Sequence, residues 1–231
     1  MAIKIKNKPA EEGDNNIFWT TMSDLLLGLA IIFMTLFVLA MSGFTQQNLT
    51  QKQRQMEMSK ELIEKLKEAN INAEVDSMTG DIKISDLELF EVGSYNLSSK
   101  GRDYLSRFTP IYIDTVFSKK EIIDEIENVV VQGHTDSQSF AGIKNKDEQY
   151  MRNMTLSLQR ANSIADYMFR TNYDKQYSDK FKKMLVVEGK SFSEPVLTNG
   201  KEDFNKSRRV ELRLKIKKLN LSDIIFMGVA R

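Results

Sequence analysis

The chain contains no cysteine. That excludes disulfide staples, Cys-ligated zinc, a thiol nucleophile and the lipid-modified cysteine of a bacterial lipoprotein. Its single histidine, His134, excludes a multi-histidine metal centre. There is no surplus of charge either, with 33 Lys and Arg against 32 Asp and Glu. A nucleic-acid binder concentrates a basic excess, so no nucleic-acid partner is expected. The 231 residues suffice for one domain of ordinary size with additional segments.

The most informative shortage is local. Between Ile17 and Phe44 the only ionisable residue is Asp24, and the next charge is Lys52. What fills residues 17–44 is Leu, Ile, Phe, Met, Ala and Val. A membrane-spanning helix needs about 20 such residues. A secretory signal has an apolar region of about 7–15 residues followed by a small-residue cleavage site. This stretch is too long for that, and Phe18 and Trp19 suit an interfacial anchor at its start. Residues 1–16 read as a short polar tail. Lysines on both sides leave the positive-inside rule nearly undecided. The simplest arrangement is a single pass with a cytoplasmic N-terminus and a large C-terminal domain outside.

Residues 45–70 are polar and free of Gly and Pro. Leu49, Met56 and Ile63 recur every seven residues, Leu62, Leu66 and Ala69 widen the stripe, and Glu61 stands one turn before Lys65. This reads as a helical linker, able to pair with a copy of itself, or equally as a solvated spacer. A folded domain is expected over 71–219. DIKIS (81–85) alternates as a strand. Ser98–Phe117 reads as a helix interrupted near Pro110. NVVVQG (128–133) and MLVVEG (184–189) read as buried strands. Residues 138–153 read as a polar loop, and Thr155–Phe169 as a helix burying Leu158, Ala161, Ala165 and Met168. In RVELRLKI (209–216), Val210, Leu212, Leu214 and Ile216 point in while Glu211, Arg213 and Lys215 point out. Strands alternating with helices predict a two-layer α/β domain, helices on a mixed sheet. The 220–231 tail carries Ile224, Ile225 and Phe226, with no assigned role.

Asp24 stands where a carboxylate is costly, by about 2.5–3.5 kcal/mol or more. Thr20 and Thr21 lie one turn before it, Gly28 one turn after and Thr35 three turns after. Small and hydroxyl residues allow another helix to approach closely, so this face should meet protein or a water-filled path. In a dry site a carboxyl group exchanges charge for a proton. Each elementary charge crossing the membrane gains about 2.3 kcal/mol per 100 mV. A structural aspartate that snorkels to the headgroups or caps the helix is the competing reading.

The domain carries a further pattern. FEVGSYNLSSKGRDYL (90–105), VQGHTDS (131–137), NMTLSLQRANSIADYM (153–168) and SRRVELRL (207–214) follow one another at the spacing of a known family. The segment resembles the OmpA/MotB-like peptidoglycan-binding domains. The resemblance implies a pocket for the diaminopimelate-bearing peptide of the cell wall. The family's motif aspartate matches Asp136 and its motif arginine Arg160, while Asn153 and Arg208 match further motif positions. A carboxylate suits the ammonium of diaminopimelate, and a guanidinium fork suits its carboxylate. The competing reading has Asp136 capping the turn after its strand and pairing with Arg160 to hold the fold. Ser207 stands where the family usually has Asn, and the 138–153 loop is longer than the family norm. His134 has no nucleophile motif near it and reads as structural or as pocket wall, so no catalytic residue and no enzyme activity are expected.

Tail, span, linker and domain together resemble the B subunits of rotary stator units, a group that includes those of flagella and of the Zorya anti-phage defence system. The wording of LSLQR and SRRVELR is closer to the latter. The resemblance implies that two such chains sit in the inner membrane inside a ring of five multi-span A-type subunits. Asp24 would relay the ion, proton or sodium, with no cofactor. The 45–70 segment would take the place of the plug, and the outer domain would grip peptidoglycan in the periplasm. A passive membrane-to-wall tether is the alternative from a different class, and a flagellar stator the alternative within this one. A peptidoglycan hydrolase lacks a catalytic constellation.

Overall fold

The computed structural model describes residues 12–91, 93–138 and 140–218. The expectation for the 220–231 tail therefore lies outside the described residues, as does most of that for 1–16. The chain divides into two units, one reaching Leu49 and the other spanning Thr50–Lys218. One helix, α1 (Glu12–Glu68), contributes to both.

In the first unit α1 is long and apolar enough to cross a membrane. Its side chains are bare, with Leu25 70%, Phe33 63% and Leu39 68% exposed. A helix satisfies its backbone polar groups within itself, as hydrocarbon requires. The Thr21 hydroxyl donates to the carbonyls of Ile17 and Phe18, each at 3.0 Å. The Thr35 hydroxyl donates to those of Ile31 and Ile32 at 3.1 and 2.8 Å. Neither hydroxyl is left wanting a partner. Asp24 is exposed on this bare helix.

The second unit is the α/β domain. After α1 come β1 (Glu74–Val75), β2 (Ile82–Ser85), α2 (Asp86–Leu89), α3 (Ser99–Phe117), α4 (Lys120–Ile123), β3 (Ile126–His134) and α5 (Lys146–Arg170). A 3₁₀ turn (Lys175–Tyr177) follows, then α6 (Ser178–Met184), β4 (Leu185–Gly189), β5 (Leu197–Thr198), β6 (Lys201–Glu202), α7 (Phe204–Ser207) and β7 (Arg209–Ile216). The sheet runs β1-β2-β7-β3-β4. Only β3 and β4 are parallel, and the connection through α5 and α6 supplies the crossover that a parallel pair demands. Ile82, Ile84, Val129, Val131, Val210, Leu212 and Leu214 bury one face of the sheet in the core that α3 and α5 cover. Helices on a mixed sheet are what the alternating pattern predicts.

Four local expectations change. The domain does not begin at residue 71. Met58 and Leu62 are fully buried and Leu66 nearly so, all within the domain's core. The seven-residue stripe misleads because Leu49 is exposed and Met56 and Ile63 are half-buried. The working face of α1 is one step further round, and the Glu61–Lys65 pair (3.0 Å) lies beside it. Next, α3 runs unbroken through Pro110. Proline removes one helical hydrogen bond, and the burial of Tyr104, Leu105, Phe108, Tyr112, Ile113 and Val116 on the same helix outweighs that loss.

The third change is in α5, which starts nine residues early. Asn145 caps it, accepting from the N–H groups of Asp147 (2.8 Å) and Glu148 (3.3 Å). The true loop is accordingly shorter than 138–153. Its first turns bury polar Gln149 and Asn153, which periodicity in apolar residues does not detect, and Leu158 is exposed while Ser157 and Arg160 are buried. Last, two strand faces differ. β4 is a half-buried strand at the sheet's end. Glu211 is 7% exposed, turned from the helices yet covered, with its carboxylate 2.6 Å from Arg209 Nε.

Candidate functional site

Strand register builds the site. Ser85 of β2 pairs with Arg209 of β7, and Arg209 pairs with His134 of β3. Three strands thus end level, and the chain continues from them as Asp86, Arg208 and Thr135–Asp136. The Asp86 N–H donates to the Arg208 carbonyl at 3.2 Å, extending the ladder by one rung. Asp86 opens α2, which α3 grips closely: a Cβ on Gly101 would lie 2.0 Å from the Leu89 carbonyl oxygen. Arg160 arrives from the other layer. The α5 backbone is set on β3 so tightly that a Cβ on Gly133 would lie 2.0 Å from the Ser157 carbonyl oxygen. That contact fixes where Arg160, one turn on, can reach.

Two carboxylates and two guanidiniums meet there. Arg160 Nη1 lies 3.1 Å from Asp86 Oδ2, both side chains being less than a tenth exposed. Arg160 Nε donates to the Ser94 carbonyl at 3.0 Å, and its guanidinium stands 5.2 Å from the Phe90 ring centroid. Arg208 pairs with Asp136 Oδ2, approaches Asp86 Oδ2 at 3.8 Å, and donates to Asn205 Oδ1 at 2.5 Å. Asp136 Oδ1 accepts from the Gln138 N–H at 3.1 Å, holding the turn after β3. Burial pushes the Asp86 carboxyl up, ahead of the opposing pull of Arg160 and Arg208. Burial likewise lowers Arg160, against the pull of Asp86. Both shifts reflect lost water. The pair stays ionised, because protonating Asp86 would leave two guanidiniums sharing a single carboxylate in a dry setting.

The structure thus brings Asp136, Arg160 and Arg208 together, and the pairing differs from expectation. Asp136 bonds to Arg208, and Arg160 bonds to Asp86, a residue that sequence reasoning missed. Nor is the full Arg160 fork available, since Nε is engaged by Ser94 and Nη1 by Asp86. Its Nη2 makes no hydrogen bond among the described residues. Asn153 is buried, donates to the Gln149 carbonyl at 3.1 Å, and makes no hydrogen bond to this quartet among the described residues. Gln149 organises the adjoining loop, accepting from the Phe140 N–H (3.0 Å) and donating to the Gln138 carbonyl (2.6 Å). Ser207 is buried, and its hydroxyl accepts from the Val196 N–H at 3.0 Å, a bond that holds the fold.

His134 lies on the sheet, 1% exposed, with neither ring nitrogen hydrogen-bonded among the described residues. Burial, reinforced by Arg209, lowers it to about 4, although Glu211 stands 3.9 Å away. Asp24 lies in the other unit.

The family model matching residues 89–209 describes the OmpA family. Over 220 residues the chain is 29% identical to the Zorya protein ZorB of Escherichia coli strain Crooks, covering 90% of this chain and 92% of that one. A Zorya protein ZorB of Escherichia coli O139:H28 is 25% identical over 228 residues, covering 93% and 86%. Among solved structures, a MotB-like protein from Desulfovibrio vulgaris shares the fold, with a TM-score of 0.52 and 19% identity over 74% of this chain and 96% of that one.

Proposed function

This chain belongs to the OmpA family, and on that premise we propose that it is the wall-anchored, ion-conducting B subunit of a membrane motor serving anti-phage defence. The observation that carries the reading is the pairing of two features in one chain. The exposed apolar stretch 17–44 holds one carboxylate, and the domain that follows gathers Asp136, Arg160 and Arg208 at the level ends of three strands. Likeness to Zorya protein ZorB along nine-tenths of the chain supports the defence setting.

In this reading the helix spans the bacterial inner membrane once, with the N-terminus cytoplasmic and the domain periplasmic. Two copies sit within a ring of five A-type subunits. Their helices cover the Leu and Phe surface that is bare here. Asp24 takes up an ion on one side and releases it to the other, and the membrane potential supplies about 2.3 kcal/mol per charge per 100 mV. Peptidoglycan held by the quartet keeps the pair of B subunits still, so the ring turns against it.

The test is phage protection, with motility scored separately, in cells carrying Asp24→Asn or Asp136→Ala/Arg160→Ala, membrane assembly being confirmed for each. Asparagine keeps size and polarity but cannot bind and release a proton. Loss of protection by assembled Asp24→Asn is the expected result. A silent Asp24→Asn beside an inactive pocket variant would make the chain a passive tether.

A further inference from the structure

Asp86 has no place in the motif pattern, yet it is the most central member of the quartet. Its Oδ2 faces Arg160 at 3.1 Å and Arg208 at 3.8 Å, whereas Asp136 is ion-paired with one of the two guanidiniums, that of Arg208. Its Oδ1 is buried without a hydrogen bond among the described residues. A carboxylate is not kept in a dry place half-satisfied unless its charge matters there. The charge count shows how it matters. Asp136, Arg160 and Arg208 alone would make a site of net charge +1, one that favours a bare carboxylate. With Asp86 the quartet is neutral and presents both signs, and the complementary ligand end is a zwitterion with ammonium and carboxylate on one carbon.

Resting on the wall-binding reading above, we propose that Asp86 is the specificity-determining residue of this site: by neutralising Arg160 from behind, it makes the pocket select an α-amino-acid terminus over a plain carboxylate. Asp86 does so without touching the ligand. Its Oδ1 is closed to solvent, and its Oδ2 is engaged by the two arginines. The donors left to the ligand are those of Arg160 and Arg208 not used by Asp86, Ser94, Asp136 and Asn205. Their attraction for an anion is moderated by the fixed negative charge behind them. The ligand's ammonium goes to Asp136, whose side chain is a tenth exposed beside the more open Arg208.

The measurement is calorimetric binding of meso-diaminopimelate and of pimelate, the same carbon chain without amino groups, to the full chain in lipid nanodiscs. The wild type should prefer diaminopimelate. Asp86→Asn should shrink that preference by roughly tenfold or more, chiefly by strengthening pimelate. Asp86→Glu should keep the wild-type ratio, and Arg208→Gln, at a partly exposed position, should widen it. If Asp86→Asn weakens both ligands in proportion, Asp86 only holds the fold and the inference fails. If that variant does not fold, Arg208→Gln decides: an unchanged ratio overturns the inference and a wider one sustains it. A wild type that binds neither probe removes the wall-binding reading itself, and this inference with it.

Discussion

The two halves of α1 use one secondary structure for opposite purposes. From Ile17 to Phe44 the helix is predominantly apolar and largely exposed, and its single charge is Asp24. From Thr50 to Glu68 it is mostly polar, and a narrow stripe of Met58, Leu62 and Leu66 disappears into the domain core. The apolar half looks like the one that needs a partner, and its large side chains stand exposed. The polar half looks free, yet it is a structural element of the domain. Hydrophobicity summed along a helix therefore says what solvent it wants, whereas only the placement of a few apolar residues says what it is packed against.

Cutting the chain gives the largest expected effect. A fragment covering 50–218 should unfold cooperatively, whereas one covering 71–218 should lose its cooperative transition. Burying Met58, Leu62 and Leu66 contributes about 1.5–3 kcal/mol each, against a whole-domain stability of about 5–15 kcal/mol. Circular dichroism with thermal melting separates the outcomes, and an equally stable shorter fragment would return residues 50–70 to the status of linker. Point substitutions ask the same question more gently. Leu62→Ala should destabilise the domain by about 2–5 kcal/mol. Leu29→Ala, in the bare half, should leave the domain's denaturant midpoint where it was. Equal shifts from the two substitutions would break the comparison.

The site shows how far a sequence can be read. Asp136, Arg160 and Arg208 were legible because each sits inside a motif stretch, and the alternation of β7 was legible because period two is unmistakable. Asp86 was not. It follows a short strand like any solvated acid, and its partners lie far along the chain. Only the register, with Ser85 opposite Arg209 opposite His134, shows that it stands beside them. The early turns of α5 were missed for a related reason. Gln149 and Asn153 are buried through hydrogen bonds, so no apolar period announced them. Glu211 was assigned outward correctly by parity, but parity cannot foresee that Arg209 and neighbouring chain would cover that face.

Acid addresses the domain core of the polar half without cutting the chain. His134 is held at about 4 in the fold against an ordinary 6.5. Above about pH 6.5 both folded and unfolded chains carry it neutral, and the full stability is present. Between 6.5 and 4 the unfolded chain binds a proton that the folded domain refuses, so stability falls as pH falls through that window, by roughly 3 kcal/mol in all. Denaturant titrations of the 50–218 fragment at successive pH values should show the slope. His134→Gln should flatten it. A slope unchanged by that substitution would assign the acid sensitivity to the carboxylates instead.

The smallest effect belongs to the ion pairs that flank the buried stripe of α1. Glu61 meets Lys65 at 3.0 Å and also Lys119, and Lys65 meets Asp114 at 3.0 Å. Hydrogen bonds from Lys119 and then Lys65 hold the Glu61 carboxyl below the usual range. These side chains remain about a third or more open to water, where pairing is largely offset by ordering and screening. Glu61→Gln should therefore cost less than about 1 kcal/mol, and less still in high salt. Measured beside Leu62→Ala, it tells which force docks the helix. A loss as large as that of Leu62→Ala, and one that salt abolishes, would mean that charge rather than burial holds this half of α1 to the domain. The two halves would then differ only in the kind of surface they expose.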